Sequence, residues 1–157
     1  MDTPEEKFVL IDGNAIVHRA YHVMPPLTRK DGTPTGAVQG FFNMVLKIIQ
    51  ELKPEHLVIA FDRPAPNFRK ELFKDYQSKR PAMESDLSPQ FGIIQGILEK
   101  AKISVYSVDG LEADDVIGTI AEKAKSTGHL VYILTGDRDM LQLVNHKTKV
   151  IAPVKGI

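Results

Sequence analysis

The sequence predicts an α/β domain: a mostly parallel central sheet with helices on both faces and an acidic site at the carboxyl ends of its strands. Three observations carry that expectation. Phe8-Val-Leu-Ile11 and His56-Leu-Val-Ile-Ala-Phe61 are short, largely apolar runs separated by an amphipathic helical stretch, the pattern of a βαβ unit covered on both sides. Both runs end in an aspartate, Asp12 and Asp62. A third apolar run, His129-Leu-Val-Tyr-Ile-Leu-Thr135, leads into Gly136-Asp137-Arg138-Asp139. Open parallel sheets bind ligands beyond these strand ends.

In chain order, the first strand passes through Asp12-Gly13-Asn14 into a short helix over 15–21, where Asp12 also suits an N-cap or turn. Met24-Pro-Pro-Leu-Thr-Arg-Lys-Asp-Gly-Thr-Pro34 is a loop by its prolines and its Asp-Gly pair. After Thr35-Gly36 a long helix puts Val38, Phe41, Phe42, Val45, Leu46, Ile49 and Leu52 on a core-facing side, and Lys53-Pro54 ends it. Ser88-Pro89 opens another helix, a capping residue followed by proline at the first position, with Phe91, Ile94, Ile97, Leu98 and Ala101 inward. Ile103-Ser-Val-Tyr-Ser-Val108 is the third strand and runs straight into Gly110-Leu-Glu-Ala-Asp-Asp-Val-Ile117. The helix beginning there carries an apolar stripe of Ala113, Val116, Ile117, Ile120, Ala121 and Ala124, and stops at Ser126-Thr-Gly128. The fourth strand follows. Met140, Leu141 and Leu143 begin a short helix, and Thr148-Lys-Val-Ile-Ala152 forms a final strand.

Bulk properties narrow the function classes. A chain of 157 residues suits one domain that buries about 70% of its unfolded surface. It contains no cysteine, which excludes disulfides, thiolate metal sites and a cysteine nucleophile. No apolar run is long enough to span a membrane and the first seven residues are acidic, unlike a signal peptide, so a cytoplasmic location is expected. Net charge is zero, but the six basic residues Arg63, Arg69, Lys70, Lys74, Lys79 and Arg80 face only Glu71 and Asp75 within 63–80. That band carries about +4 and the remainder about −4. Phe68, Leu72, Phe73 and Tyr76 share one helical face there. A solvated surface helix would look the same. A basic, aromatic-bearing lid suited to a nucleic-acid backbone and unstacked bases is the functional reading.

Seven carboxylates occupy equivalent topological positions: Asp12, Asp62, Glu112, Asp114, Asp115, Asp137 and Asp139. Acids in a first helical turn complement the helix dipole, but that needs only one or two of them. Like charges held together raise one another's pKa. No set of lysines at the strand ends neutralises these. Divalent cations with oxygen preference do, magnesium or manganese best, and this many ligands suits two ions. Such a pair can activate water and stabilise the leaving oxygen of a phosphodiester.

Ile11-Asp-Gly-Asn14, Phe61-Asp62, Phe68-Arg69, Gly110-Leu-Glu-Ala-Asp-Asp-Val-Ile117 and Thr135-Gly-Asp-Arg-Asp-Met-Leu-Gln-Leu143 resemble the 5′ nuclease domain of bacterial DNA polymerase I. That domain belongs to the flap endonuclease group with a PIN-like fold, and the similarity runs over essentially all 157 residues. The resemblance implies that Asp12, Asp62, Glu112 and Asp114 hold a first metal and that Asp115, Asp137 and Asp139 contribute to a second. It makes 63–87 a basic arch-like segment, with Arg69 and Arg80 as catalytic arch positions beside Lys70, Lys74, Tyr76 and Lys79 as DNA contacts. Arg19 and Tyr21 would lie near the scissile phosphate. The family's arch usually reads Tyr-Lys-x-x-Arg, whereas here Gln77 follows Tyr76, so Lys79 or Lys74 would take the lysine's place. By the same resemblance the helix-three-turn-helix region that grips duplex DNA is absent from 1–157.

The expected function is a metal-dependent 5′–3′ exonuclease and 5′-flap endonuclease. Its substrate would be DNA with a 5′ single-stranded end or flap. The rest of a polymerase or nuclease, on the same or a separate chain, is the expected partner. The alternatives are a non-catalytic DNA-binding or docking module and a PIN-type ribonuclease. A haloacid-dehalogenase-type phosphatase would need Asp-x-Asp after the first strand, and Asp12-Gly-Asn14 lacks the second acid.

Overall fold

The computed structural model describes residues 3–63, 72 and 83–153. Its centre is a five-stranded sheet with strand order 3-2-1-4-5 and every pairing parallel. β1 (Lys7–Asp12) lies in the middle, between β2 (His56–Ala60) and β4 (Leu130–Leu134); β3 (Ser104–Tyr106) and β5 (Thr148–Ile151) are the edges. The helices are α1 (Gly13–Val23), α2 (Gly36–Leu52), α3 (Ser88–Lys100) and α4 (Ala113–Ser126), with a 3₁₀ helix at Arg138–Leu143.

Successive strand residues point to opposite faces, so an apolar strand feeds two cores at once. Val9, Ile11, Ile59 and Leu134 join α1, α2 and α3 on one side through Ile16, Val17, Phe41, Val45, Ile94 and Leu98. Leu10, Val58, Ala60, Val131 and Ile133 meet α4 on the other through Ala113, Val116, Ile117, Ala121 and Ala124, with Met140 of the 3₁₀ helix. The apolar stripe read from the sequence of α4 is therefore the face that packs on the sheet. Gly128 ends that segment at φ +89°, where a glycine carries no steric penalty.

Four expectations are corrected. Leu46 is exposed rather than core, because Ala37, Gly40, Phe41, Met44 and Ile48 form the buried line of α2. Ile97 and Ala101 likewise face outward, and the inward face of α3 carries Gln90 in their stead. The cap of α3 falls on Leu87 with Pro89 in the first turn, since the Glu84 carbonyl already accepts helical hydrogen bonds from the Leu87 and Ser88 N–H groups. Strand 3 is shorter than expected, and its three residues are all exposed.

Gln90 is 2% exposed and does a cap's work from a neighbouring helix. Its Oε1 accepts from the backbone N–H groups of Ala37 (2.8 Å) and Val38 (3.2 Å), in the first turn of α2, while its Nε2 donates to the Asp86 carbonyl at 2.9 Å. Thr35, the N-cap of α2, makes no side-chain cap bond, so Gln90 satisfies donors that the helix leaves open. Gln90→Leu is expected to destabilise the fold by about 2–3 kcal/mol, because it strands buried N–H groups. Gln95→Leu, at an exposed site on the same helix, should change stability by less than about 0.5 kcal/mol. Urea denaturation of the two variants checks this, and equal effects would refute the bridging role.

Candidate metal centre at the strand ends

Asp12 closes β1 and caps α1, accepting from the Ala15 N–H at 3.2 Å. Its other oxygen accepts from the Thr135 hydroxyl, just beyond β4, at 2.9 Å. The Thr135 Oγ in turn accepts from the Asp137 N–H at 3.0 Å, and Asp137 caps the 3₁₀ helix by accepting from the Asp139 N–H at 2.9 Å. On the opposite side of β1, the Asp62 N–H donates to Asn14 Oδ1 at 2.8 Å. Asp62 Oδ1 accepts from the Ala113 N–H at 2.6 Å. A short chain of hydrogen bonds thus ties the ends of β1, β2 and β4 to the start of α4.

Gly13 makes the close approach possible. A Cβ there would stand 2.6 Å from the Phe61 ring and 2.8 Å from the Ala60 carbonyl oxygen. Without a side chain the turn after β1 lies against the end of β2, which brings Asp12 and Asp62 within electrostatic reach of each other. At the start of α4, Glu112, Asp114 and Asp115 each offer a carboxylate oxygen, all within 4.8 Å of one another. The Glu112 N–H donates to Asp115 at 3.0 Å, half of a capping box, and the Asp115 N–H donates to Asp114 at 2.9 Å. The helix's positive end makes these acids tolerable together.

Asp12 is 6% exposed, and burial pushes its carboxyl up to about 6. Its two donors pull in the other direction. The charges of Asp62 and Asp137 add to the rise, so the strongest charges acting on Asp12 are themselves carboxylates. These carboxylates are hard oxygen donors of the kind that hold divalent cations, and Glu112, Asp114 and Asp115 are grouped within reach of a single ion.

The other sequence-derived site residues fall differently. Asp139 is exposed, and Arg19 is half-buried on α1. Tyr21 donates its hydroxyl to Asp86 at 2.7 Å, a bond that pushes the phenol up to about 12. It lines a pocket of about 430 Å³ with His22, Met24, Pro25, Asp86 and Gln90, a lining that includes none of the seven acids. Arg63, counted in the basic band, bonds Ser107 at 3.1 Å and pairs with Asp109 at 3.2 Å. Arg69, Lys70, Lys74, Tyr76, Lys79 and Arg80 lie outside the described residues, as does Gln77. Sequence reasoning passed over Asn14 and Thr135 as site residues. Their only signal was adjacency to Asp12 and Asp137.

A parallel 3-2-1-4-5 sheet with acids grouped beyond its central strands is a PIN-like α/β nuclease fold. More particularly, the chain belongs to the 5′-3′ exonuclease family: the model of that family's N-terminal resolvase-like domain matches residues 7–156. The chain is 40% identical over 153 residues to DNA polymerase I of Geobacillus stearothermophilus, covering 98% of itself and 18% of that protein. It is 39% identical over 145 residues to the 5′-3′ exonuclease of Aquifex aeolicus, covering 92% of itself and 50% of that protein. It therefore spans half or less of these relatives' length. Among solved structures, a bacteriophage T5 flap endonuclease in complex with DNA and metal ions superposes with a TM-score of 0.69 at 16% identity, covering 94% of this chain and 55% of that one. The catalytic core of Rad2 in complex with DNA substrate gives 0.54 at 19% identity, over 96% of this chain and 45% of that one.

A pH dependence follows from Asp12. A carboxyl whose value is higher in the folded than in the unfolded chain binds its proton more tightly when native. Stability of the metal-free protein should therefore be fullest below pH ~4 for this group and fall by about 2–3 kcal/mol as pH rises through about 6. Asp12→Asn should flatten that decline and leave the metal-free protein more stable than wild type at neutral pH. Urea midpoints measured with chelator across this range test it; parallel pH profiles for the two proteins would refute it.

Proposed function

We propose that this chain is the metal-binding portion of a 5′ nuclease that hydrolyses DNA phosphodiesters, as a 5′–3′ exonuclease and 5′-flap endonuclease. The observation that carries the reading is the hydrogen-bonded convergence of Asp12, Asp62 and Asp137 with the acid cluster at the start of α4. Family membership supports it, as do relatives named DNA polymerase I and 5′-3′ exonuclease rather than ribonucleases or binding modules.

In this reading Asp12, Asp62, Glu112 and Asp114 hold one Mg2+ or Mn2+, and Asp115, Asp137 and Asp139 contribute to a second. Two such ions would supply water activation and charge neutralisation at the leaving oxygen of an in-line displacement. The chain's own work is to position the ligands. Thr135 and the Ala15 N–H orient Asp12, the Ala113 N–H orients Asp62, and Asn14 anchors the backbone that carries it. Desolvation keeps Asp12 from being screened by water, which strengthens its attraction for a cation. Segment 63–87 is assigned as the basic arch that receives the single strand, with Arg69 and Arg80 on the phosphates and Lys70, Lys74, Tyr76 and Lys79 along the backbone and bases. Arg19 and Tyr21 would face the strand near the scissile bond. The substrate is DNA with a free 5′ end or flap, acted on in the cytoplasm. The rest of the polymerase or nuclease supplies the duplex grip.

The test is cleavage of a labelled 5′-flap DNA with Mg2+ and with Mn2+, by this chain alone and joined to the remaining half of a 5′ nuclease domain. Glu112→Gln/Asp114→Asn should lower the metal-dependent rate by at least about 100-fold with circular dichroism unchanged. Thr135→Val, which removes two positioning bonds and no ligand, should lower it by roughly 10–100-fold and raise the Mg2+ concentration required. Metal-dependent cleavage that survives the double variant would overturn the assignment.

A further inference from the structure

A second cluster of metal-binding groups sits at the opposite end of the sheet. Glu6 leads into β1, His56 opens β2 and His129 immediately precedes β4. The strand register sets His56 beside Phe8 and places His129 level with Glu6. Glu6 and Phe8 are two residues apart on one strand, so all these side chains share the face that packs on α4. Both imidazoles aim Nε2 at the same oxygen, Glu6 Oε2, at 3.1 Å from His56 and 3.3 Å from His129. The rings lie 5.2 Å apart, centroid to centroid, and the Phe8 ring backs both, at 5.3 Å and 5.9 Å. The neighbouring Glu5 is paired with Lys147, so Glu6 alone is turned to the histidines.

The far side of His129 is anchored: Thr127 Oγ stands 2.9 Å from the Ala124 carbonyl and 2.8 Å from His129 Nδ1, and with its hydrogen on the carbonyl it accepts from Nδ1. The Ala124 carbonyl, 3.3 Å from the same nitrogen, is also an acceptor. In that tautomer Nδ1 of His129 carries the hydrogen and Nε2 keeps its lone pair, the form in which an imidazole ligates a metal. A backbone carbonyl fixing the far nitrogen is also the usual second partner of a metal-bound histidine. A tetrahedral ion with bonds of about 2.0–2.1 Å separates its ligand atoms by roughly 3.3–3.4 Å, close to the two contacts seen.

We propose that Glu6, His56 and His129 form a binding site for a late first-row divalent cation, zinc by its donor set, distinct from the carboxylate centre. Two imidazoles and one carboxylate suit zinc far better than magnesium, and Glu6 and His56 are open enough to solvent for water to complete the shell. The ion would clamp the starts of the three central strands. α4 runs from the acid cluster at its first turn to the Ala124 carbonyl that holds His129, so the two sites stand about 20 Å apart.

The experiment is Zn2+ binding to the tag-free chain in excess Mg2+, measured by competition with a chromophoric chelator. The background is Glu112→Gln/Asp114→Asn, to silence the acidic centre. One equivalent of Zn2+ should bind, and adding His56→Ala or Glu6→Gln should weaken it by about 100-fold with circular dichroism unchanged. Co2+ in place of Zn2+ should show the visible absorption of a tetrahedral nitrogen–oxygen site, lost in the same variants. Zn2+ binding indifferent to His56 and Glu6, or no binding stronger than that of Mg2+, would overturn the proposal and leave the cluster as two histidines hydrogen-bonded to Glu6.

Discussion

The structure depends on the gathering of unlike strand ends into one negatively charged corner. Asp12 is taken out of water at the centre of the sheet, and the charges nearest it in effect are Asp62 and Asp137. Such a corner works against folding unless polar groups are aimed at it, and here the backbone provides several. The Ala15 and Ala113 N–H groups, each in the first turn of a helix, donate to Asp12 and Asp62. Helix starts offer unpaired donors and a partial positive charge, so the fold supplies part of the neutralisation that a cation would complete.

The same constraint explains residues with no charge of their own. Gly13 is needed because anything larger would strike Phe61 and the Ala60 carbonyl and push the ends of β1 and β2 apart. Thr135 carries two bonds, one to Asp12 and one from the Asp137 backbone, and so couples β4 to β1 beyond the point where their ladder ends. Asn14 does the equivalent for β2. Each small polar residue sits next to an acid in sequence and holds a different acid in space.

The parallel sheet and the acids at its strand ends were legible because their signals are local and repeated. Apolar runs ending in aspartate recur three times, and the stripe of α4 follows a helical period that its packing on the sheet reproduces. Finer placement was not legible where a long-range contact decides it. Leu46 has the hydrophobicity and spacing of a core residue, yet Gly40 lets α2 meet α1 along a line rotated from that face. A Cβ at Gly40 would fall 2.6 Å from the Met24 side chain and 2.9 Å from that of Ala20, so a side chain there would force α1 and Met24 to shift. Gln90 reads as a surface residue and is buried, because its partners are 53 and 52 positions away. His56 and His129 carry no motif at all. They become neighbours only when the register aligns β1 with both β2 and β4.

A parallel sheet has two chemically different ends, and this one has sorted its acids and histidines between them. At the carboxyl end, the turns into helices bring N–H donors and favour short acids, giving a set of hard oxygens. At the amino end the chain arrives from helix C-termini, where the partial charge is negative and free carbonyls accept hydrogen bonds. Imidazole N–H groups are well matched there, and His129 is held by the last turn of α4 for that reason. Carboxylates facing helix starts select magnesium-like ions, and histidines facing helix ends select softer ones. The same chain direction that builds the acidic corner thus sets a different side-chain chemistry at the other end of the sheet.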